Sequence, residues 1–165
     1  MEERPKIVIE LTSFDKALEI IGWILIILIW ILTIYKYPAL PETVPTHFNI
    51  SGKVDDNGAR RTVLILPIVS TILFAGLTIL NKYPNIFNYP VPITEENAER
   101  LYRIATRLMR YLKLVLVLTF FGIEFMTIQT ALGKSAGLTD WFLPVCLGSV
   151  FIPVIYTIFQ LLKYK

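Results

Sequence analysis

The stretch "IIGWILIILIWILTIY", residues 20–35, is a run of sixteen residues without a single charge. A helix on the surface of a soluble bundle shows a polar stripe that recurs at the helical period. This stretch has no such stripe, because it is apolar around its whole circumference. It therefore indicates a helix surrounded by lipid and argues against a soluble helical bundle.

Three more apolar blocks of twenty to twenty-two residues follow, and only one of them contains a charge, at Glu124. A hydrocarbon layer ~30 Å thick is crossed by about 20 helical residues. With 55% hydrophobic and 18% charged residues, the chain is predicted to be an all-α integral membrane protein, a four-transmembrane-helix bundle forming one membrane domain over residues 1–165. The expected spans are residues 18–36, 62–81, 114–133 and 141–162.

The N-terminal residues predict a helix start and not a cleavable signal peptide. Charges are mixed through the first sixteen residues, and no small-residue cleavage site follows the first apolar block. Thr12 and Asp15 have the spacing of a capping box. Cys146 is the single cysteine, so an intrachain disulfide is excluded and a small core residue is expected there.

The distribution of positive charge predicts how the chain is oriented. Four spans place both termini on one side, and that side has eleven lysines and arginines, including Lys165, against five on the other. Cytoplasmic segments are the ones enriched in these residues. Both termini and the connection at residues 82–113 are therefore expected in the cytoplasm, and an ordered loop at residues 37–61 outside. No basic-aromatic motif for nucleic acid is present, and nucleic acid is excluded as a partner.

The inner connection is predicted to contain a cytoplasmic amphipathic helix. Three prolines keep its first part extended, and Thr94 and Asn97 mark a helix start. Four arginines then fall within an arc of about 80° and are expected to face the lipid headgroups. This face is either a docking surface for anionic lipid or a partner, or an ordinary solvated basic helix. The arginines are Arg100, Arg103, Arg107 and Arg110.

Glu124 lies near the middle of the third block, where an ionised carboxylate costs at least ~2.5 kcal/mol. We therefore expect it to be protonated and to need a hydrogen-bond acceptor. Pro153 frees the carbonyl of Ser149 in the fourth block, and the Ser149 hydroxyl is a second acceptor. Other candidate partners are Ser70, Thr71, Thr127 and Gln129. Two roles are open for Glu124. It either relays ions or protons, or forms a polar contact that holds helices or protomers together.

The outer loop, "YPALPETVPTHFNISGKVDDNGARR", combines prolines with two turn signals, Ser51-Gly52 and Asn57-Gly58. Residues 46–50, between the prolines and these turn signals, suit a short extended piece, in which His47 and Asn49 are expected to satisfy backbone groups. One histidine with Glu42, Asp55 and Asp56 is too little for a zinc or calcium site. We expect no metal, no cofactor and no enzymatic activity.

Residues 37–55 resemble the signature loop of a bacterial and archaeal membrane family, domain of unknown function 1648. The motif consists of Leu40-Pro41, Pro45, His47-Phe48-Asn49, Gly52 and Asp55. Residues 82–113 are similar to the family's inner connection as well. Relatives of the SdpI type protect a producing cell from its own secreted toxin and pass a signal to a transcriptional regulator.

The resemblance implies a non-enzymatic protein of a prokaryotic plasma membrane that recognises a hydrophobic or peptidic agent at its outer face. The residues implied in recognition are Pro45, His47, Phe48, Asn49, Gly52 and Asp55. Expected partners are the bilayer, and a membrane-active peptide or another membrane protein. The alternative is a subunit of a small ion-coupled transporter or channel that forms a homo-oligomer and uses Glu124. A third class is an assembly factor for another membrane complex.

Overall fold

The computed structural model describes residues 4–163, so Lys165 lies outside the described residues. This part of the chain contains four long α-helices and one two-stranded antiparallel sheet. The elements, in chain order, are α1 (Ser13–Lys36), β1 (Thr43–Phe48), β2 (Val54–Ala59), α2 (Ile65–Leu80), α3 (Ala98–Ala131) and α4 (Phe142–Leu162).

All four helices, with α2 extended by the 3₁₀ turn that precedes it, are long and apolar enough to cross a membrane. The chain is a multi-pass membrane protein, as predicted. Many large apolar side chains of α1 and α4 lie on the surface of the bundle, which suits contact with lipid. The fold is mostly helical, which is consistent with the predicted all-α membrane bundle, and part of the loop at residues 37–61 forms the β1–β2 hairpin.

The first helix is longer than its apolar block. It has 24 residues and starts at Ser13, five positions before the predicted span. The capping box is confirmed: the Asp15 amide donates to Thr12 Oγ1 at 3.3 Å, and the Thr12 amide donates to Asp15 Oδ2 at 3.0 Å. These bonds satisfy amides that a helix start leaves without partners. At about 1.5 Å per residue the helix is long enough to span the bilayer.

The predicted amphipathic helix and the predicted third span form one continuous helix. α3 runs for 34 residues from its N-cap at Asn97. Asn97 Oδ1 accepts a hydrogen bond from the Thr94 amide at 2.8 Å, and Thr94 Oγ1 accepts one from the Asn97 amide at 3.3 Å. The predicted start at Thr94 therefore lies one turn before the first residue of the helix, Ala98.

The most extensive helix–helix contact joins α1 to α3, and α2 packs against both. Buried Ile26, Phe74 and Val117 bring the three helices together. Gly22 permits this approach, because a Cβ at that position would lie 2.4 Å from the Phe74 ring. α4 packs mainly on α3 and is largely exposed.

The hairpin turn lies at only one of the two predicted turn signals. The chain reverses at residues 49–53, where the Asn49 amide donates to the Lys53 carbonyl at 2.8 Å. Asn57 and Gly58 instead lie within β2, opposite Pro45 and Val44. The expectation of a turn at Asn57-Gly58 is therefore wrong, because cross-strand pairing with β1 keeps this dipeptide extended.

Candidate functional site

The β1–β2 hairpin is anchored to the connection between α3 and α4. The Leu138 amide donates to the Gly52 carbonyl at 2.8 Å, and Lys53 pairs with Gly137 in an isolated antiparallel bridge. Gly52 has a φ of +72°, and a Cβ there would lie 2.3 Å from the Leu138 carbonyl oxygen. A side chain at residue 52 would therefore be strained and would separate the two segments.

A cavity of about 600 Å³ lies under the hairpin, between it and the helices α2 and α3. We call it the hairpin cavity. Its volume falls in the range typical of small-molecule sites, which combine apolar walls with a few polar groups. It is lined by Pro45, Thr46, His47, Phe48, Asp56, Asn57, Gly58, Thr62, Val63, Ile65, Leu66, Ile123, Glu124, Thr127 and Leu138.

Glu124 is fully buried and lines the hairpin cavity. Its Oε1 accepts a hydrogen bond of 2.7 Å from Thr33 Oγ1 on α1. Among the described residues, none forms a hydrogen bond with its Oε2. One carboxyl oxygen of Glu124 is therefore hydrogen-bonded to α1, and the other is buried without a hydrogen-bond partner among the described residues.

The predicted partners of Glu124 are wrong, since among the described residues its carboxyl group is hydrogen-bonded by Thr33 alone. The Ser149 hydroxyl donates to the Cys146 carbonyl within α4, at 2.8 Å, and Ser149 lines a different cavity between α3 and α4. Gln129 is half-buried on α3 and does not line the hairpin cavity. Thr33 could have been found in the sequence, since it is the one threonine of the first apolar block.

Polar side chains organise the hairpin itself. Asn49 Oδ1 accepts hydrogen bonds from the amides of Ser51 and Lys53, at 2.9 and 3.1 Å, so its expected role in satisfying backbone groups is confirmed. The same expectation is wrong for His47, whose Nδ1 lies 2.5 Å from Asp55 Oδ1. Both members of this pair are exposed to a substantial degree, at 66% and 42%.

The structure separates the predicted recognition residues into three groups. Pro45, His47 and Phe48 line the hairpin cavity together with Glu124. Asn49 and Gly52 line an adjacent cavity of about 370 Å³ that reaches α4, and His47 and Phe48 lie between the two. Asp55 lines neither cavity and contacts His47 instead. Within residues 4–163, no three potential metal-ligating side chains converge.

The four arginines of α3 do not share one lipid-facing surface. Arg107 Nε lies 3.0 Å from Asp15 Oδ1, and Arg110 is buried with its Nε 3.4 Å from Glu19 Oε1. The predicted lipid-facing placement is therefore wrong for these two, because acids on α1 neutralise them. Arg103 pairs with Glu99 at 2.6 Å on the same helix, and Arg100 is exposed.

These ion pairs belong to a larger buried group at the end of the bundle opposite the hairpin. Lys113 is fully buried, with Nζ 2.6 Å from Glu19 Oε2, 2.6 Å from Thr78 Oγ1 and 4.5 Å from the centre of the Phe74 ring. We call this group of side chains the ion cluster; its charged members are Asp15, Glu19, Arg107, Arg110 and Lys113. The sequence contains a signal for it, since acids four apart on α1 and bases three apart on α3 each share a helix face.

Comparison with known proteins identifies the family of this chain. Residues 24–71 match the family described as Domain of unknown function (DUF1648). An uncharacterized protein of Archaeoglobus fulgidus is 35% identical over 136 residues, which cover 74% of each chain. The chain belongs to the DUF1648 family. No solved structure matches it.

The residues that match the DUF1648 family form one side of the hairpin cavity. They include most of α1 with Thr33, the whole hairpin, and the first residues of α2. The motif residues and the hydroxyl that fixes Glu124 thus lie within one continuous matched segment. Glu124 itself lies outside that segment and is contributed by α3.

Proposed function

We propose that this DUF1648 protein is a non-enzymatic, receptor-like membrane protein that recognises a hydrophobic or peptidic agent at its outer face. The observation that carries this proposal is the hairpin cavity, because it combines an apolar wall with a few polar groups under an anchored hairpin. The similarity of its loop to that of the SdpI-type immunity proteins supports the same role.

The hairpin supplies the first contact with the agent. His47 is mostly exposed, and Phe48 lines both the hairpin cavity and its smaller neighbour. Aromatic side chains supply a large contact area at low conformational cost, which makes Phe48 the expected anchor. The hydrogen bond from the Leu138 amide to the Gly52 carbonyl anchors the hairpin on which Phe48 lies.

Replacing Phe48 by alanine tests recognition. Cells that express the chain are expected to change in sensitivity to membrane-active peptides, and Phe48→Ala is expected to remove that change, because an anchor side chain contributes about 2 kcal/mol. The measurement is the inhibitory concentration of each peptide, with membrane levels of the protein matched. Lys53→Ala is the control, because Lys53 is exposed on the same hairpin but lines neither cavity. Equal sensitivity with the wild type and Phe48→Ala would contradict the proposal.

Recognition at an outer face requires a defined orientation, and we place both termini in the cytoplasm of a prokaryotic cell. The excess of lysine and arginine at the termini and at residues 82–113 supports this orientation. In a Cys146→Ser background, an impermeant thiol reagent is expected to label Ser51→Cys in intact cells and to leave Glu96→Cys unlabelled. Both positions are exposed, so the reverse pattern would invert the orientation.

The second candidate function is ion or proton transport by an oligomer. It is favoured by Glu124, whose Oε2 has no partner among the described residues and which lines a cavity under the hairpin. The largely exposed α4 offers a surface for a second copy. If this function is correct, proteoliposomes with the wild-type chain will pass protons faster than empty vesicles, and Glu124→Gln will abolish the difference. Glu99→Gln, an exposed acid on the same helix, is the control; equal flux in all vesicles rejects transport.

A further inference from the structure

We propose that the hairpin cavity takes an amphipathic amine, a molecule with an apolar body and a protonated nitrogen that donates a hydrogen bond to Glu124 Oε2. This inference rests on the proposed recognition function and names the chemistry of its ligand. It is based on the buried carboxyl group of Glu124, in which one oxygen has no hydrogen-bond partner among the described residues. This group lies beside apolar side chains under the hairpin that includes His47 and Phe48.

The carboxyl group of Glu124 is set up to receive a donor. Thr33 Oγ1 donates a hydrogen bond of 2.7 Å to Oε1, while Oε2 has no hydrogen-bond partner among the described residues. Leaving a buried polar atom without a partner costs free energy, because the atom has lost its hydrogen bonds to water. A ligand N–H that reaches Oε2 recovers this cost, and a charged N–H forms a stronger bond than a neutral one.

The charges around the cavity favour a cation over an anion. Its lining includes two acids, Asp56 and Glu124, and no lysine or arginine. The one basic side chain in the lining, His47, contacts Asp55 at 2.5 Å. Asp56 attracts positive charge to the cavity. Glu124 is expected to be protonated in the empty cavity, and a bound cation favours its carboxylate form because an opposite charge nearby stabilises the charged state.

The remaining wall explains why the ligand needs an apolar body. The side chains that could cover such a body come from the hairpin, α2, α3 and the α3–α4 connection: Phe48, Val63, Ile65, Leu66, Ile123 and Leu138. A bare metal ion does not fit this surface, since within residues 4–163 no three acidic, histidine or cysteine side chains converge to hold one. An organic ammonium needs only one carboxyl oxygen and apolar surroundings.

A set of probes with one shared apolar body tests the proposal. The full chain in phosphatidylcholine nanodiscs is titrated by calorimetry with 1-adamantylammonium, 1-adamantanol and adamantane-1-carboxylate, and the heat with empty nanodiscs is subtracted. The ammonium is expected to bind at least about tenfold more tightly than the other two, because a hydrogen bond to a charged group is stronger than one to a neutral group. Glu124→Gln is expected to remove this preference, and Glu99→Gln to retain it.

Each outcome separates this inference from the proposed function. Equal affinity for the three probes, lowered by Phe48→Ala, would overturn the preference for a cation and leave recognition intact. Tighter binding of the carboxylate, or no binding of the ammonium to the wild type, would also overturn the inference. In either case the peptide-sensitivity assay with Phe48→Ala remains an independent test of the proposed recognition function. If Glu124→Gln does not fold, the comparison of the three probes on the wild-type chain decides.

Discussion

Lys113→Met is expected to lower the free energy of unfolding by about 3 kcal/mol, because it leaves the half-buried Glu19 carboxylate without its closest cation. The Lys113 ammonium lies 2.6 Å from both Glu19 Oε2 and Thr78 Oγ1 and is fully buried. The loss is expected at the lower end of the range for broken buried ion pairs, since Arg110 Nε remains 3.4 Å from Glu19 Oε1. The measurement is denaturant-induced unfolding of the purified chain in detergent micelles.

Two further variants isolate the ion pair. Lys16→Met removes the same kind of side chain from an exposed position of α1 and is expected to change stability by less than about 0.5 kcal/mol. Adding Glu19→Gln to Lys113→Met removes the carboxylate that has lost Lys113, while Arg110 keeps Asp15 Oδ1 at 4.0 Å. The double variant is therefore expected to be more stable than Lys113→Met alone. If the double variant is no more stable than Lys113→Met, the loss of stability is caused by lost packing of the Lys113 side chain and not by the charge on Glu19.

Gly52→Ala is expected to destabilise the hairpin end of the chain by about 2–3 kcal/mol. About 1–2 kcal/mol comes from placing alanine at a φ of +72°. About 1 kcal/mol comes from the Leu138–Gly52 hydrogen bond, which a Cβ 2.3 Å from the Leu138 carbonyl oxygen would break. Hydrogen exchange of the Leu138 amide is the measurement, and its protection is expected to fall.

Gly76→Ala is the matched control for this prediction. Gly76 lies in the interior of α2, and a Cβ there would meet no atom within 4 Å. Alanine in a helix interior is favoured over glycine by roughly 0.5–1 kcal/mol, so this variant is expected to be as stable as the wild type or more so. Unchanged protection of Leu138 in Gly52→Ala would show that the hairpin is not anchored by this contact.

Local patterns in the sequence predicted local structure well. The spacing of Thr12 and Asp15 identified a capping box, and the pair Thr94 and Asn97 marked the approach to α3. These features depend on residues within one helical turn, so they can be predicted from neighbouring residues in the sequence. The Asn57-Gly58 signal failed for the opposite reason: its backbone is held by β1, a partner ten or more positions away.

The candidate site was predicted only in part. The motif around His47 and Phe48 and the unusual acid Glu124 were each identified from the sequence, but as separate features. The structure brings them to one cavity and gives Glu124 a partner on α1, Thr33, which is 91 positions away. The arginines of α3 show the same limit: their shared helix face was predicted, but not the acids of α1 against which Arg107 and Arg110 pack.

The sequence by itself determined that this chain is a multi-pass membrane protein with four apolar helices. The physical reason is that burial in lipid depends on the length and composition of each segment, which can be summed along the chain. Only the tertiary structure decided which charges are neutralised, where the hairpin turns, and that Glu124 lines a cavity under His47 and Phe48. Those outcomes depend on how α1, α3 and the hairpin pack, because the desolvation and pairing of a side chain are set by neighbours distant in sequence.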